Sequence, residues 1–543
     1  MKRYLPVISF FLTLYSCVLL LKGWYSPLFI LFWILSVIFL ILPFVSFTSL
    51  PKIHTPKLRK SILLTCVLIL PILVRVINSD TTRMHQDEAL LAYFSLHHSY
   101  FTLNFFSGIP QDVTAWTARV PAPFFILQKI FFTLTEANLV TIKLSILPYV
   151  FITTVMLYKI VKEILSNRAA LVSVLFYSFL APSIYFETQG IITNTASPIF
   201  LSFLYFLIVW AKKNKKRDAI LSGILCALCY LFYFGAYIAF PILLFHAVTV
   251  YKTSKKPLFL KNFLSALFAF FITLGPFLTY TLLYYNYFTE RINQVSLLKG
   301  SLSEVVLILG KNVMTGLASF TTDGIGGSEG FNFGHLALFD TFTRSLFIVS
   351  FLTALYAYFS HKKILFIFFP LFLSFLTMAL SMPPPGYHRF ILAYPLLSAI
   401  LSIPFYYWVK IQMPLALRAV IPLFIFALYA RGNQMYFQKA VQTEKNNEEL
   451  RLSEFINANY PNRHLFIASF PGFAFEKIYF LTPGKNAEEV TSDYHKSLLG
   501  KFESDIPYVY VITFPKSFDE AFIQKDPHGK LVKFSQNYDL FVN

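Results

Sequence analysis

Apolar runs of about 20 residues recur from residue 4 to residue 430, and that repetition constrains this chain more than any motif in it. A helix of that length spans the ~30 Å hydrocarbon core of a bilayer. The chain is 56% hydrophobic and only 13% charged, about half the charge of a soluble domain, so a water-soluble fold is excluded. The runs fall at 4–22, 26–46, 61–77, 139–161, 169–185, 195–211, 218–234, 236–251, 262–284, 344–360, 364–381, 389–409 and 414–430, which predicts about 13 spans. The expected fold class is an all-α polytopic membrane protein followed by a small C-terminal α/β domain.

The net charge of +19 would suit a nucleic-acid binder, but the positions of the charges argue otherwise. Lys52, Lys57, Arg59 and Lys60, then Lys212, Lys213, Lys215, Lys216 and Arg217, then Lys252, Lys255, Lys256 and Lys261, then Lys362 and Lys363 all lie in short loops between apolar runs. With a cytoplasmic N-terminus, the span count puts every cluster on the cytoplasmic side, the positive-inside pattern. One span more or fewer would scatter them. Attraction to anionic membrane lipid follows from the same charges, and no nucleic-acid partner is expected. Met1-Lys2-Arg3 opens like a signal peptide, but Lys22-Gly23-Trp24 supplies no small-x-small cleavage site, so a retained first helix is expected. Cys17, Cys66, Cys226 and Cys229 all sit within apolar runs. Cys226-Ala-Leu-Cys229 therefore reads as packing rather than as a redox or zinc pair.

The same count places 78–138, 186–194, 285–343, 382–388 and the tail after Arg431 on the opposite, extracytoplasmic face. There Met84-His85-Gln86-Asp87-Glu88-Ala89 presents two adjacent carboxylates. They can open a helix over 87–98, with Leu90, Leu91 and Phe94 on one face, because acids complement a helix N-terminus. Alternatively, one of them removes a proton from an acceptor hydroxyl. Further on, Arg119-Val120-Pro121-Ala122-Pro123 leads into Phe124–Leu134, about 11 residues and too short to span, which predicts an interfacial or re-entrant helix. The Gly-rich stretch 322–330 lacks the Lys-Ser/Thr of a phosphate loop and reads as a flexible substrate-covering loop. Beyond 433 the pattern turns polar and alternating: a helix is expected over Glu444–Asn459 and strands over His464–Ser469, Tyr508–Phe514, Lys530–Phe534 and Tyr538–Val542. The expected domains are 1–432 and 433–543.

The order of these features resembles the GT-C class of integral-membrane glycosyltransferases. The likeness is to glycosyltransferase family 39 and its bacterial relatives, which include protein O-mannosyltransferases and the lipid A aminoarabinose transferase. It rests on Asp87–Glu88 opening a helix after an apolar span and on Arg119-Val120-Pro121-Ala122-Pro123-Phe124-Phe125. It continues with Asn167–Arg168 at a cytoplasmic turn, Ala181-Pro182-Ser183 running to Gly190-Ile191-Ile192-Thr193-Asn194, and Pro385-Gly386-Tyr387-His388-Arg389 before Tyr394–Pro395. It covers roughly 61–432. The chain departs from the pattern in three places: Val120 stands where relatives often have Lys, Asn194 stands where they often have an acid, and spans 4–46 are an addition.

The resemblance implies transfer of a sugar from a polyprenyl-phosphate donor to a hydroxyl on a protein, lipid or glycan acceptor at the extracytoplasmic face. By it, Asp87 matches the general base of an inverting displacement, with Glu88 orienting the acceptor or serving as base itself. A leaving phosphate needs cations, and Arg119, Arg389, Lys129 and His388 are the candidates, each of which would otherwise snorkel to headgroups. Arg75 and Lys143 are expected to be such anchors. His85, Asn194 and Glu187 are the candidates for acceptor contact. No cofactor is required, although His85 with Asp87 could hold a divalent cation. A lipid-linked glycan polymerase or ligase, a transporter or flippase, and a non-catalytic scaffold are the alternatives. Few mid-span charges and no repeat symmetry weigh against transport.

Overall fold

The computed structural model describes residues 4–24, 26–44, 58–79, 84–97, 104–107, 122–251, 256–286, 301–325, 331–379, 386–444, 448–468, 474–490, 507–512 and 527–543. Among them, seven helices are long and apolar enough to cross a membrane: Pro27–Phe44, Leu139–Ile164, Ile192–Lys213, Pro257–Leu283, Thr341–Ser360, Lys362–Ala379 and Ala416–Thr443. Asn167–Phe179 and Ala181–Glu187 make an eighth, bent by 65°. Leu5–Leu21, Ile62–Ile77 and Phe234–Thr249 are apolar but shorter. The run expected at 389–409 is broken at Ser402 into Ala393–Leu401 and Ile403–Trp408. The fold class is as expected, although fewer helices than the 13 expected spans meet the length criterion. The predicted short helix is present as Ala122–Leu134.

Helices in lipid gain little from burying apolar surface against one another, so close approach and polar contacts hold them. Trp33 Nε1 donates to the Thr273 carbonyl at 2.9 Å, Thr13 to Ser36 Oγ at 2.9 Å, and Ser9 to the Ser36 carbonyl at 2.7 Å. Helix Lys216–Phe232 meets Lys256–Leu283 at Gly223, where a Cβ would lie 2.1 Å from the Ala266 carbonyl oxygen. Only glycine permits that approach.

The bent span shows how a break is made tolerable inside a membrane protein. Pro182 has no N–H to donate to the Ser178 carbonyl, and Ala181 N–H is diverted to Asn433 Oδ1 at 2.9 Å, which leaves the Tyr177 carbonyl without its helical donor. Arg75 takes both freed carbonyls, Ser178 through Nη1 at 2.9 Å and Tyr177 through Nη2 at 3.2 Å. Tyr429 donates to the Phe176 carbonyl at 3.0 Å. The same guanidinium pairs with Glu187 at 3.2 and 2.7 Å, and the Glu187 carboxylate also accepts from Tyr177 at 2.7 Å and Ser183 at 2.9 Å. Arg75 is 1% exposed, so it is a buried ion-pair partner and not the expected headgroup anchor.

The C-terminal domain carries a five-stranded sheet in the order β2-β1-β3-β5-β4: β1 His464–Ala468, β2 Ala487–Glu489, β3 Tyr508–Ile512, β4 Lys530–Lys533 and β5 Asp539–Val542. β1 pairs in parallel with β2 and β3, while β5 runs antiparallel to β3 and β4. Helix Glu448–Asn459 buries Leu452 and Ile456 against Leu465, Val509 and Leu540. The expected domain boundary at 432/433 falls inside a continuous helix, Leu415–Glu444. A further helix, Ala474–Leu481, packs against Gln86–His97 through Tyr93, 5.5 Å from Phe475 and 5.7 Å from Tyr479.

Removing one partner from a buried pair strands the other. Arg75→Met is expected to cost about 3–5 kcal/mol, and Arg75→Lys somewhat less, because one ammonium cannot serve the carboxylate and two carbonyls together. Thermal unfolding in detergent checks the order wild type, Lys, Met.

Candidate functional site

Gln86–His97 begins where the expected helix begins, and its two acids have separate environments. His85 precedes the helix as its N-cap: its Nδ1 accepts the Asp87 N–H at 3.1 Å, and Glu88 at N3 reaches back to the His85 N–H at 3.1 Å, the second half of a capping box. Glu88 is fully buried and also accepts from Gly190 N–H at 2.6 Å and from Lys143 Nζ at 3.4 Å to each oxygen. A Cβ on Gly190 would lie 3.1 Å from Glu88 Oε1 and 2.5 Å from Ile142 Cγ2, so glycine is needed there. The Glu88 carboxylate is thus committed to structure, contrary to the expectation that it orients an acceptor or acts as base. Lys143 is its buried counter-ion, not a headgroup anchor. Asp87 is half-buried.

A late turn meets this helix. The ring of Phe331 lies between two imidazoles, 4.1 Å from His85 and 3.8 Å from His388. Tyr387 N–H donates to the Phe331 carbonyl at 3.1 Å, Tyr394 donates to the Tyr387 carbonyl at 2.8 Å, and Ser197 donates to the Ile391 carbonyl at 2.9 Å. Segments 84–88, 187–197 and 386–391, far apart in sequence, therefore converge. His388 is buried, and its Nδ1 has no partner among the described residues. Burial pushes its pKa well below the ordinary 6.5, with Arg389 and His85 adding to the effect.

Asn194 is buried in the same region. Its amide donates to the Phe186 carbonyl at 2.9 Å and the Gln189 carbonyl at 2.6 Å, while Oδ1 has no partner among the described residues. Glu187 is close in sequence, and both its oxygens are engaged: Oε2 accepts from Arg75 and Ser183, and Oε1 accepts from Tyr177. Lys129 donates to the Leu96 carbonyl at 3.2 Å, at the far end of the Asp87 helix and about 13 Å along its axis from Asp87. It caps that helix. Arg389 follows His388 and is half-buried. Arg119 and the Gly-rich residues 326–330 lie outside the described residues. The first part of that Gly-rich stretch is tied down: Asp323 accepts from Ala337 N–H at 2.7 Å, and Gly324 N–H donates to the His335 carbonyl at 2.9 Å. Among the described residues no three His, Cys, Asp or Glu side chains gather as a metal site.

Sequence reasoning misassigned the ionic partners Arg75 and Lys143, and it missed Phe331. For the two cations a signal existed: a Lys or Arg inside an apolar run asks for a buried carboxylate. Phe331 carried no signal among 63 phenylalanines.

Residues 119–280 match the family model described as dolichyl-phosphate-mannose-protein mannosyltransferase. No curated protein matches the chain. Among solved structures it is similar to ArnT from Cupriavidus metallidurans in the apo state, with TM-score 0.56 and 12% identity over 89% of this chain and 98% of that one. It is similar also to the same ArnT bound to undecaprenyl phosphate, with TM-score 0.54 and 10% identity over 88% and 97%. At such identities the likeness is one of fold. The chain has a GT-C-like membrane fold, as its motifs led us to expect.

The depressed His388 pKa has a sign that can be checked. Below about pH 6.5 the unfolded imidazole takes up a proton that the folded one refuses, so stability present above pH 6.5 is lost as pH falls through that value. His388→Gln is expected to flatten the decline in Tm between about pH 7 and pH 5.

Proposed function

We propose that this protein is an integral-membrane glycosyltransferase that moves a sugar from a polyprenyl-phosphate donor to an acceptor hydroxyl, with inversion. The observation that carries this reading is the division of labour at one helix start. Glu88 is buried and locks the helix to Gly190 and Lys143, while the adjacent Asp87, less buried, flanks a site built from three converging segments. The family-model match and the ArnT-like fold support the reaction class. ArnT has been solved with undecaprenyl phosphate, which supports the donor class.

In this mechanism Asp87 accepts the proton of the attacking hydroxyl while the anomeric carbon passes to it. The phosphate leaves toward Arg389 and His388, across the Phe331 ring from His85. His388 is neutral at pH 7 and serves as a hydrogen-bonding group, while Arg389 supplies the charge. The bilayer delivers the lipid-borne donor to the edge of the site. Asp87 lies on the extracytoplasmic face, with the basic loops in the cytoplasm. The C-terminal domain packs on the Asp87 helix through Tyr93, and in this reading it guides the acceptor. Proton transfer is assigned to Asp87 without a metal.

The test is label transfer by purified protein in nanodiscs from a panel of polyprenyl-phosphate sugars. Asp87→Asn is expected to lower kcat by at least ~10² with Tm unchanged, whereas Glu88→Gln is expected to lower Tm, since it removes the charge from a buried carboxylate that pairs with Lys143 and accepts from Gly190 N–H. Unchanged transfer in Asp87→Asn would overturn the assignment. Arg389→Gln is expected to raise KM for the donor. Activity is expected to survive EDTA; loss restored by Mg²⁺ or Mn²⁺ would instead give His85 and Asp87 to a cation.

A further inference from the structure

At the opposite end of the bundle lies a cavity of about 280 Å³ that the proposed reaction does not use. Helix Ala196–Lys213 starts beside Asn194 and ends at its rim, which puts it about 25 Å from the candidate active site. Three lysines border it: Lys212, Lys362 and Lys363. Glu163, 2.9 Å from Lys212, is the one acid in the lining. The Lys362 ammonium sits 4.7 Å from the Tyr358 ring centroid. The wall is apolar, with Ile208, Ile242, Phe366 and the stacked pair Phe245–Phe369, 4.1 Å apart.

His246 faces this cavity and is 2% exposed. Neither ring nitrogen has a hydrogen-bond partner among the described residues. Its neighbours are rings: Trp210 at 5.1 Å and Phe366 at 5.6 Å. An imidazole buried without partners is costly, and a ligand oxygen in the cavity would remove that cost. A free anion would satisfy the lysines and the imidazole but would leave the apolar wall empty. A membrane phospholipid satisfies all three.

We propose that this cavity binds one anionic phospholipid, its phosphate between Lys212, Lys362 and Lys363, its ester region against His246, and the start of an acyl chain between Phe245 and Phe366. The site holds a lipid of the leaflet at the basic face, and it is separate from the donor site at the other end.

The experiment is a lipid titration of the full-length protein in detergent, read by native mass spectrometry, with phosphatidylglycerol and phosphatidylcholine. One tight phosphatidylglycerol is expected. Each lysine near an anionic headgroup contributes about fivefold in affinity, so Lys362→Gln/Lys363→Gln is expected to weaken binding about 30-fold. The control Lys215→Gln/Lys216→Gln removes the same charge from the same face outside the cavity and is expected to leave binding unchanged. His246→Phe, which cannot donate to an ester or phosphate oxygen, is expected to weaken it as well. Equal binding of the two lipids, equal loss in the control, or displacement of the lipid by inorganic phosphate would each overturn the proposal.

Discussion

A single guanidinium holds the break on which the candidate site depends. Arg75 serves the two carbonyls that Pro182 and the diverted Ala181 N–H leave without donors, and the same group neutralises Glu187. In a lipid environment none of these groups could be left to water. Without Arg75 the bent span has no satisfied geometry, and the turn that carries Gly190 and Asn194 has no fixed position. That turn in turn orients Glu88, and Glu88 sets the start of the helix that presents Asp87.

Two buried ion pairs thus hold one turn: Arg75 with Glu187 at its beginning, and Lys143 with Glu88 through the Gly190 N–H. Such pairs contribute little net stability compared with apolar packing, but they specify geometry, because a misplaced partner leaves a bare charge in a low-dielectric interior. In this protein they hold the backbone around Asp87. The two adjacent acids therefore differ in environment: Glu88 is fully buried and Asp87 is half-buried.

Much of the architecture was legible in the sequence. The start of the Asp87 helix, the short Ala122–Leu134 helix and four of the five strands of the terminal sheet follow from periodicity and turn residues, which are local properties. The convergence of 84–88, 187–197 and 386–391 was legible only as an ordered list of motifs on one face. The assignments that failed involve partners distant in sequence. Arg75 and Lys143 read as headgroup anchors because their carboxylates lie 112 and 55 residues away. The contact of Lys129 with the end of the Gln86–His97 helix was not legible either, because it depends on the packing of two helices. The composition change at 432/433 does not interrupt the backbone, because helix Leu415–Glu444 runs through it.

The sequence by itself determined that the chain lives in a membrane, which loops are basic, where the soluble domain lies and which acids open a helix, since hydropathy and local turn chemistry act over a few residues. Only the tertiary structure decided that Glu88 is bound into the interior by Gly190 and Lys143 while the adjacent Asp87 stays half-buried. It also decided that Glu187 is spoken for and that two imidazoles share one phenyl ring. These outcomes depend on which groups lose water together, and burial is a property of the packed chain, not of any segment of it.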